Sequence, residues 1–261
     1  MDTRYWGPSG WRLLHLLVAN PSKSNKEFYS FLEHLPYVLP CKYCRSSLSY
    51  HYKDIPYTKT EDLELWMWKI HNKVNGKLRK EGHSKPANPP FSKVQELYAQ
   101  RLGYGCTRTE FPGWEFLFSI VKNHPLTSHD IHPIPGAPPI ETLATDLEKN
   151  QWNLIDPSVR FAHWISFWQS LPTVFPYKEW TDAWNEALAT QSSPAEWTTM
   201  GIAMKSLWGL RCAFEEKLAL LNKTTYKSLC NDLTFYKSGC ANQNVQTKTC
   251  RRLRMTRKTK R

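Results

Sequence analysis

The stretch from Leu63 to Leu78 constrains the fold most. Leu63, Trp66, Met67, Ile70, Val74 and Leu78 recur at helical spacing, so this segment predicts an amphipathic helix with one apolar face to bury. Thr60 to Asp62 places acids where a helix starts. Beside the apolar face runs a second stripe of Trp68, His71, Asn72, Asn75 and Arg79. A solvated face would carry more charge. A stripe of His, Asn and Trp suits a heteroaromatic ligand rich in donors and acceptors.

The rest of the chain repeats the helical pattern. Trp11, Leu14 and Val18 share a face, with His15 one turn after Trp11. The Gly7-Pro8-Ser9 run before them reads as a turn leading into that helix. Ser24 predicts the cap of a second helix striped by Phe28, Phe31, Leu32 and Leu35, and Pro36 and Pro40 end it. Ser92 predicts the cap of a short helix with Val94, Leu97, Tyr98 and Leu102. Trp114 to Val121 is again helical. Pro125, Pro133, Pro135, Pro138 and Pro139 with Gly136 make residues 124–139 a non-helical connector. From Ile140 the pattern is helical and rich in Trp. No alternating strand pattern and no internal repeat is visible. The fold class is therefore all-α: a first domain over 1–106, a second helical domain over 110–235, and a polar tail over 236–261.

Charge and cysteines narrow the function. The net charge is +12, and Lys248, Arg251, Arg252, Arg254, Arg257, Lys258, Lys260 and Arg261 concentrate it in the tail. That arm suits weak contact with nucleic acid or an anionic surface, and equally a solvated disordered end. No apolar run is long enough for a membrane span, and no secretory signal is expected at the start. The 7 Cys are not the dense even set of a small secreted domain.

Only Cys41 and Cys44 form a close pair, in Pro40-Cys41-Lys42-Tyr43-Cys44 at the start of a third helix. With Leu48 they follow helical spacing and share a face. A thiol at a helix N-terminus is favoured as thiolate. On spacing alone such a pair can close as a disulfide, share a metal or pass electrons. With His51 and His71 it has four candidate zinc ligands, although a second close pair is missing. A thioredoxin-like use would need flanking strands.

Three blocks resemble one family in order and spacing, the Erv/ALR sulfhydryl oxidases. They are Trp6-Gly7-x-x-x-Trp11-x-x-Leu14-His15, then Pro40-Cys41-x-x-Cys44, then Trp66-x-x-x-x-His71-Asn72-x-Val74-Asn75. The resemblance covers roughly residues 5–106 and implies a four-helix bundle, closed by a short fifth helix, that holds FAD. It implies cofactor contacts from Gly7, Trp11, His15, His71, Asn72, Val74, Asn75, Lys77, Lys80 and Tyr98. It makes Cys41 the thiol that meets substrate and Cys44 the one beside the flavin, with no metal. It implies a thiol oxidase, passing electrons from protein dithiols to O2 as H2O2, and a homodimer.

Trp68 and Ser92 stand near the positions of the family's usual disulfide between the fourth and fifth helices, so packing must replace that bond. The missing disulfide and the helical extension look most like versions carried by large cytoplasmic DNA viruses. That implies host cytoplasm or virion, or otherwise a compartment such as the mitochondrial intermembrane space. Cys106, Cys230, Cys240 and Cys250 are left as candidate shuttle or intersubunit cysteines. The rival is a zinc-binding or structural virion protein with a non-catalytic pair.

Overall fold

A computed structural model describes residues 1–20, 23–60, 62–83, 86–127, 132–221 and 224–237. The basic arm, Cys240 and Cys250 lie outside the described residues. Those that are described form helices and connecting turns, with no strand among them.

Helix α1 (Thr3–Val18) starts earlier than the Gly-Pro-Ser run predicted. Asp2 caps it, accepting from the Arg4 N–H at 2.8 Å. Pro8 therefore lies inside the helix, where it removes one backbone bond. Burial of Trp6, Leu13, Leu14 and Leu17 outweighs that loss.

Helix α2 (Asn25–Leu32) opens with a full capping box, Glu27 N–H to Ser24 Oγ and Ser24 N–H to Glu27. Leu35 belongs not to it but to a separate single turn, α3 (Leu35–Val38), with Pro36 near its start. Then come α4 (Lys42–Asp54), α5 (Leu63–Lys80) and α6 (Phe91–Gly103). Asp62 caps α5, accepting from Leu65 N–H at 2.8 Å. Pro90, not Ser92, stands at the start of α6, because the fixed proline backbone already leads into the first turn.

The expected apolar face of α5 is divided. Leu63, Trp66, Met67 and Ile70 are buried in the core, whereas Val74 and Leu78 are only half-buried. At the α5–α6 corner the Trp68 indole donates to the Pro89 carbonyl at 3.0 Å and packs on Phe91, ring centroids 6.0 Å apart. Packing joins these two helices where the resemblance led one to look for a disulfide.

Six further helices follow: α7 (Trp114–Lys122), α8 (Asp146–Gln151), α9 (Pro157–Ser170), α10 (Lys178–Ala189), α11 (Met200–Lys217) and α12 (Tyr226–Phe235). Their core is built from indoles: Trp114, Trp164, Trp168, Trp180, Trp184 and Trp197 are all buried. Edge-on and offset pairs such as Trp164–Trp168, 5.5 Å between centroids, fill it.

This core is continuous with that of the first six helices. A Cβ on Gly10 of α1 would stand 3.2 Å from the Phe116 ring of α7, so those two helices approach closely because Gly10 has no side chain. Ser9 Oγ donates to the Pro112 carbonyl at 2.9 Å across the same contact. Among the described residues no helix is long and apolar enough to cross a membrane.

Candidate active site

Cys41 is the N-cap of α4 and takes an extended backbone, while Cys44 sits in the first turn. The Cys41 carbonyl accepts from the N–H groups of Cys44 at 3.0 Å and Arg45 at 2.9 Å, which fixes the two thiols on one turn. Hydrogen bonding from the Cys44 thiol pulls the Cys41 thiol down to about 6, with burial opposing and the Cys44 N–H, the chain amino group and Arg45 assisting. Both cysteines are partly buried.

Facing them is a wall of rings from three helices. His15 Nε2 and His71 Nδ1 share a hydrogen bond of 2.9 Å, joining α1 to α5. Trp11 lies flat on His71, 3.9 Å between centroids and 7° between planes. Tyr98 of α6 stacks on the other imidazole, His15, at 5.2 Å. His15 is 6% exposed, and burial drives it down to about 4, so it is neutral and fixes the His71 ring by a hydrogen bond rather than by charge.

Between the cysteines and this wall opens a cavity of about 2160 Å³. That exceeds the roughly 300–1,000 Å³ of common small-molecule sites and leaves room for a large ligand. Gly7, Trp11, Cys41, Cys44, His71, Asn72, Val74, Asn75, Lys77, Lys80 and Tyr98 all line it. His15, for which direct contact was expected, stands behind His71 and reaches the cavity through it. Asn75 Nδ2 donates to Asn88 at 3.2 Å, and Arg79 donates to Asn88 and to the Pro86 carbonyl, so the loop before α6 is tied to the rim.

Sequence reasoning missed Gly76 as a lining residue. A Cβ on Gly76 or Gly7 would meet nothing within 4 Å, so both glycines present flat backbone to open space. A glycine inside an amphipathic helix, next to the His71, Asn72 and Asn75 stripe, was the signal available in the sequence. His51, weighed only as a metal ligand, also lines the cavity, and its Nδ1 is buried without a hydrogen-bond partner among the described residues. Burial first, and then Lys77 and Lys73, push it down to about 4.

Lys69, Lys73, Lys77 and Lys80 follow one edge of α5. Asp54 pairs with Lys73 at 2.7 Å, and Glu81 lies 4.0 Å from Lys77. Flat rings, unpartnered imidazole nitrogen and a basic edge fit a planar heteroaromatic ligand carrying anionic groups. Among the described residues no group of three or more His, Cys, Asp or Glu is arranged to hold a metal ion. His71, named in the zinc alternative, is engaged by His15 and Trp11.

An all-helical bundle with a cysteine pair opening onto a ring-lined cavity is the class that fold and site define. The family is then given by sequence. The model of the Erv1 / Alr family matches residues 8–97. The FAD-linked sulfhydryl oxidase of African swine fever virus (isolate Pig/Kenya/KEN-50/1950) is 32% identical over 125 residues, 43% of this chain and 98% of the viral protein. The mitochondrial FAD-linked sulfhydryl oxidase ERV1 of Saccharomyces cerevisiae is 36% identical over 86 residues, 30% of this chain and 46% of the yeast protein. A probable FAD-linked sulfhydryl oxidase of Acanthamoeba polyphaga mimivirus is 34% identical over 85 residues, 29% of this chain and 59% of that protein. The chain thus spans about half the length of the yeast and mimivirus relatives and nearly all of the African swine fever virus one. No solved structure matches it. The chain belongs to the Erv1 / Alr family.

Proposed function

We propose that this protein is an FAD-linked sulfhydryl oxidase that forms disulfides in protein dithiols. The observation that carries the reading is that Cys41, Cys44 and the His71-Asn72-x-Val74-Asn75 face open onto one cavity. Bound FAD supplies a two-electron acceptor between the cysteine pair and O2, which leaves as H2O2. Trp11 and His71 would hold its rings, with Asn72, Val74 and Asn75 beside them, Gly7 and Gly76 would leave it room against the helix backbones, and Lys77 and Lys80 would offer positive charge to its anionic groups. His15 and Tyr98 support this wall from behind and beside it.

The thiol chemistry belongs to the chain's own residues. A substrate thiolate attacks the Cys41 sulfur of the Cys41–Cys44 disulfide, and the electron pair leaves on Cys44. The second substrate thiolate then attacks the substrate sulfur of the mixed disulfide, and Cys41 leaves as thiolate. The substrate is now a disulfide, and the pair has gained two electrons. A Cys41 thiol near 6 is a good leaving group at neutral pH, which suits it to the substrate side of the pair.

Residues 1–106 carry this chemistry, and residues 110–235 brace it. Helix α6 buries only Tyr98 and leaves Leu97 and the adjoining Tyr104 exposed, which supports pairing of two chains. The viral relatives support a place of action in the host cytoplasm or the virion.

Oxygen uptake with dithiothreitol tests the function. It should be present in the purified protein and lost in Cys44→Ala; a Cys44→Ala protein with undiminished turnover would overturn the mechanism.

A further inference from the structure

The second unit grips the segment that carries the cysteines. A four-residue helix such as α3 leaves its carbonyls without partners inside the helix. Asn150, fully buried, donates Nδ2 to the Pro36 carbonyl at 3.0 Å and to Ser49 Oγ at 2.9 Å. Arg160 Nε donates to the Tyr37 carbonyl at 3.1 Å.

Closer to the sulfurs, Lys42 and Arg45 flank the pair and are 7% and 1% exposed. Buried cations need partners. Lys42 Nζ donates to the His132 carbonyl at 3.1 Å. Arg45 donates Nη1 to the Leu39 carbonyl at 3.2 Å and Nη2 to Asn153 Oδ1 at 2.7 Å. Asn153 Nδ2 in turn donates to the His132 carbonyl at 2.9 Å. One side chain of the second unit therefore links both cationic neighbours of the cysteine pair.

We propose that Asn153 is a positioning residue for the cysteine pair, holding Arg45 so that the second unit sets the reactivity of Cys41. Arg45 is coupled to Cys41 in two ways. Its N–H is bonded to the Cys41 carbonyl, and its guanidinium is among the positive groups around the Cys41 sulfur. The Cys44 thiol, the Cys44 N–H and the chain amino group at Met1 act on that sulfur more strongly, with burial opposing, so Arg45 adjusts a reactivity that the turn already creates.

The simpler role for Asn153 is to stop α8. It has a left-handed φ of 57°, and Leu154 N–H bonds back to the Lys149 carbonyl at 2.8 Å, as at many helix ends. Glycine performs that role at least as well. Asn153→Gly therefore keeps the helix stop and removes only the side-chain link.

The consequence for turnover rests on the thiol-oxidase reading, but the effect on Cys41 does not. Reduced full-length protein is alkylated with iodoacetamide across pH, and Cys41 modification is followed by peptide-resolved mass spectrometry. Asn153→Gly should fold with a thermal midpoint roughly 2–8 °C below the parent's, because buried Arg45 loses one partner, should move the Cys41 curve to higher pH by up to roughly half a unit, and should lower kcat/KM for a dithiol by up to about twofold. Arg45→Met should displace the curve by itself, and adding Asn153→Gly to it should move the curve no further, because the link to Asn153 is already gone. Superimposable curves for parent and Asn153→Gly, or a further displacement by Asn153→Gly in the Arg45→Met background, would overturn the proposal. A parent without oxygen uptake would instead overturn the oxidase reading, leaving the alkylation curves to decide the role of Asn153.

Discussion

Replacing Gly76 by alanine should stabilise the FAD-free protein and weaken its hold on FAD. Gly76 lies inside α5, where glycine costs about 0.8–1.0 kcal/mol relative to alanine. An added Cβ meets no atom within 4 Å, so no clash offsets the gain. At about 2–4 °C per kcal/mol for a chain of this size, the FAD-free melting temperature should rise by roughly 2–4 °C. The same Cβ enters the cavity, where a bound ring system would have to shift. Overpacking of about 1–3 kcal/mol corresponds to a loss of roughly 5- to 150-fold in affinity. Gly76→Leu should magnify the loss. The assay is a thermal melt of FAD-stripped protein beside a flavin-fluorescence titration. If the melting temperature rises while FAD affinity stays at the parent value, Gly76 faces only solvent and the assignment of this wall to the cofactor is refuted.

Trp68→Ala should lower the melting temperature by about 4–8 °C, the loss of one indole hydrogen bond and part of a ring contact amounting to about 2 kcal/mol. Trp68→Phe, which keeps the ring contact, should lose about half of that; equal melting temperatures for all three proteins would remove Trp68 as the pin between α5 and α6. Acid should destabilise the FAD-free fold as pH falls from 6.5 toward 4. His15 and His51 are held neutral, with values lowered from 6.5 to about 4, so in that window the unfolded chain binds the extra protons. The contribution is on the order of 3 kcal/mol for the deeply buried His15, fully present above pH 6.5, and a urea midpoint unchanged between pH 7 and 4.5 would contradict it.

The helices and the cysteine pair were legible in sequence because local physics fixes them. Ser24 caps α2 as its place before an apolar stripe implied, with Glu27 completing the box, and the stripe of α5 follows from its own period. The start of α1 was not legible, since a proline reads as a boundary until long-range burial of Trp6 and Leu13 is known. Ser92 misled for the opposite reason, as the preceding prolines already fix the entry to α6. At the site, the low charge of the His71, Asn72 and Asn75 stripe set it apart from a solvated face, and the stripe lines the cavity. The position of His15 behind His71 depends on how two distant helices meet, and no spacing within either one reveals it. The same is true of Asn153, which becomes a neighbour of Arg45 only through packing between units.

Anaerobic titration of the purified, FAD-loaded protein with dithiothreitol follows electrons from thiol to flavin. The flavin absorbance should bleach completely, with two dithiol equivalents consumed per chain, one for the Cys41–Cys44 disulfide and one for the flavin. Cys44→Ala should keep its yellow colour under the same titration. A protein that binds no FAD, or whose flavin bleaches equally without Cys44, would contradict that transfer.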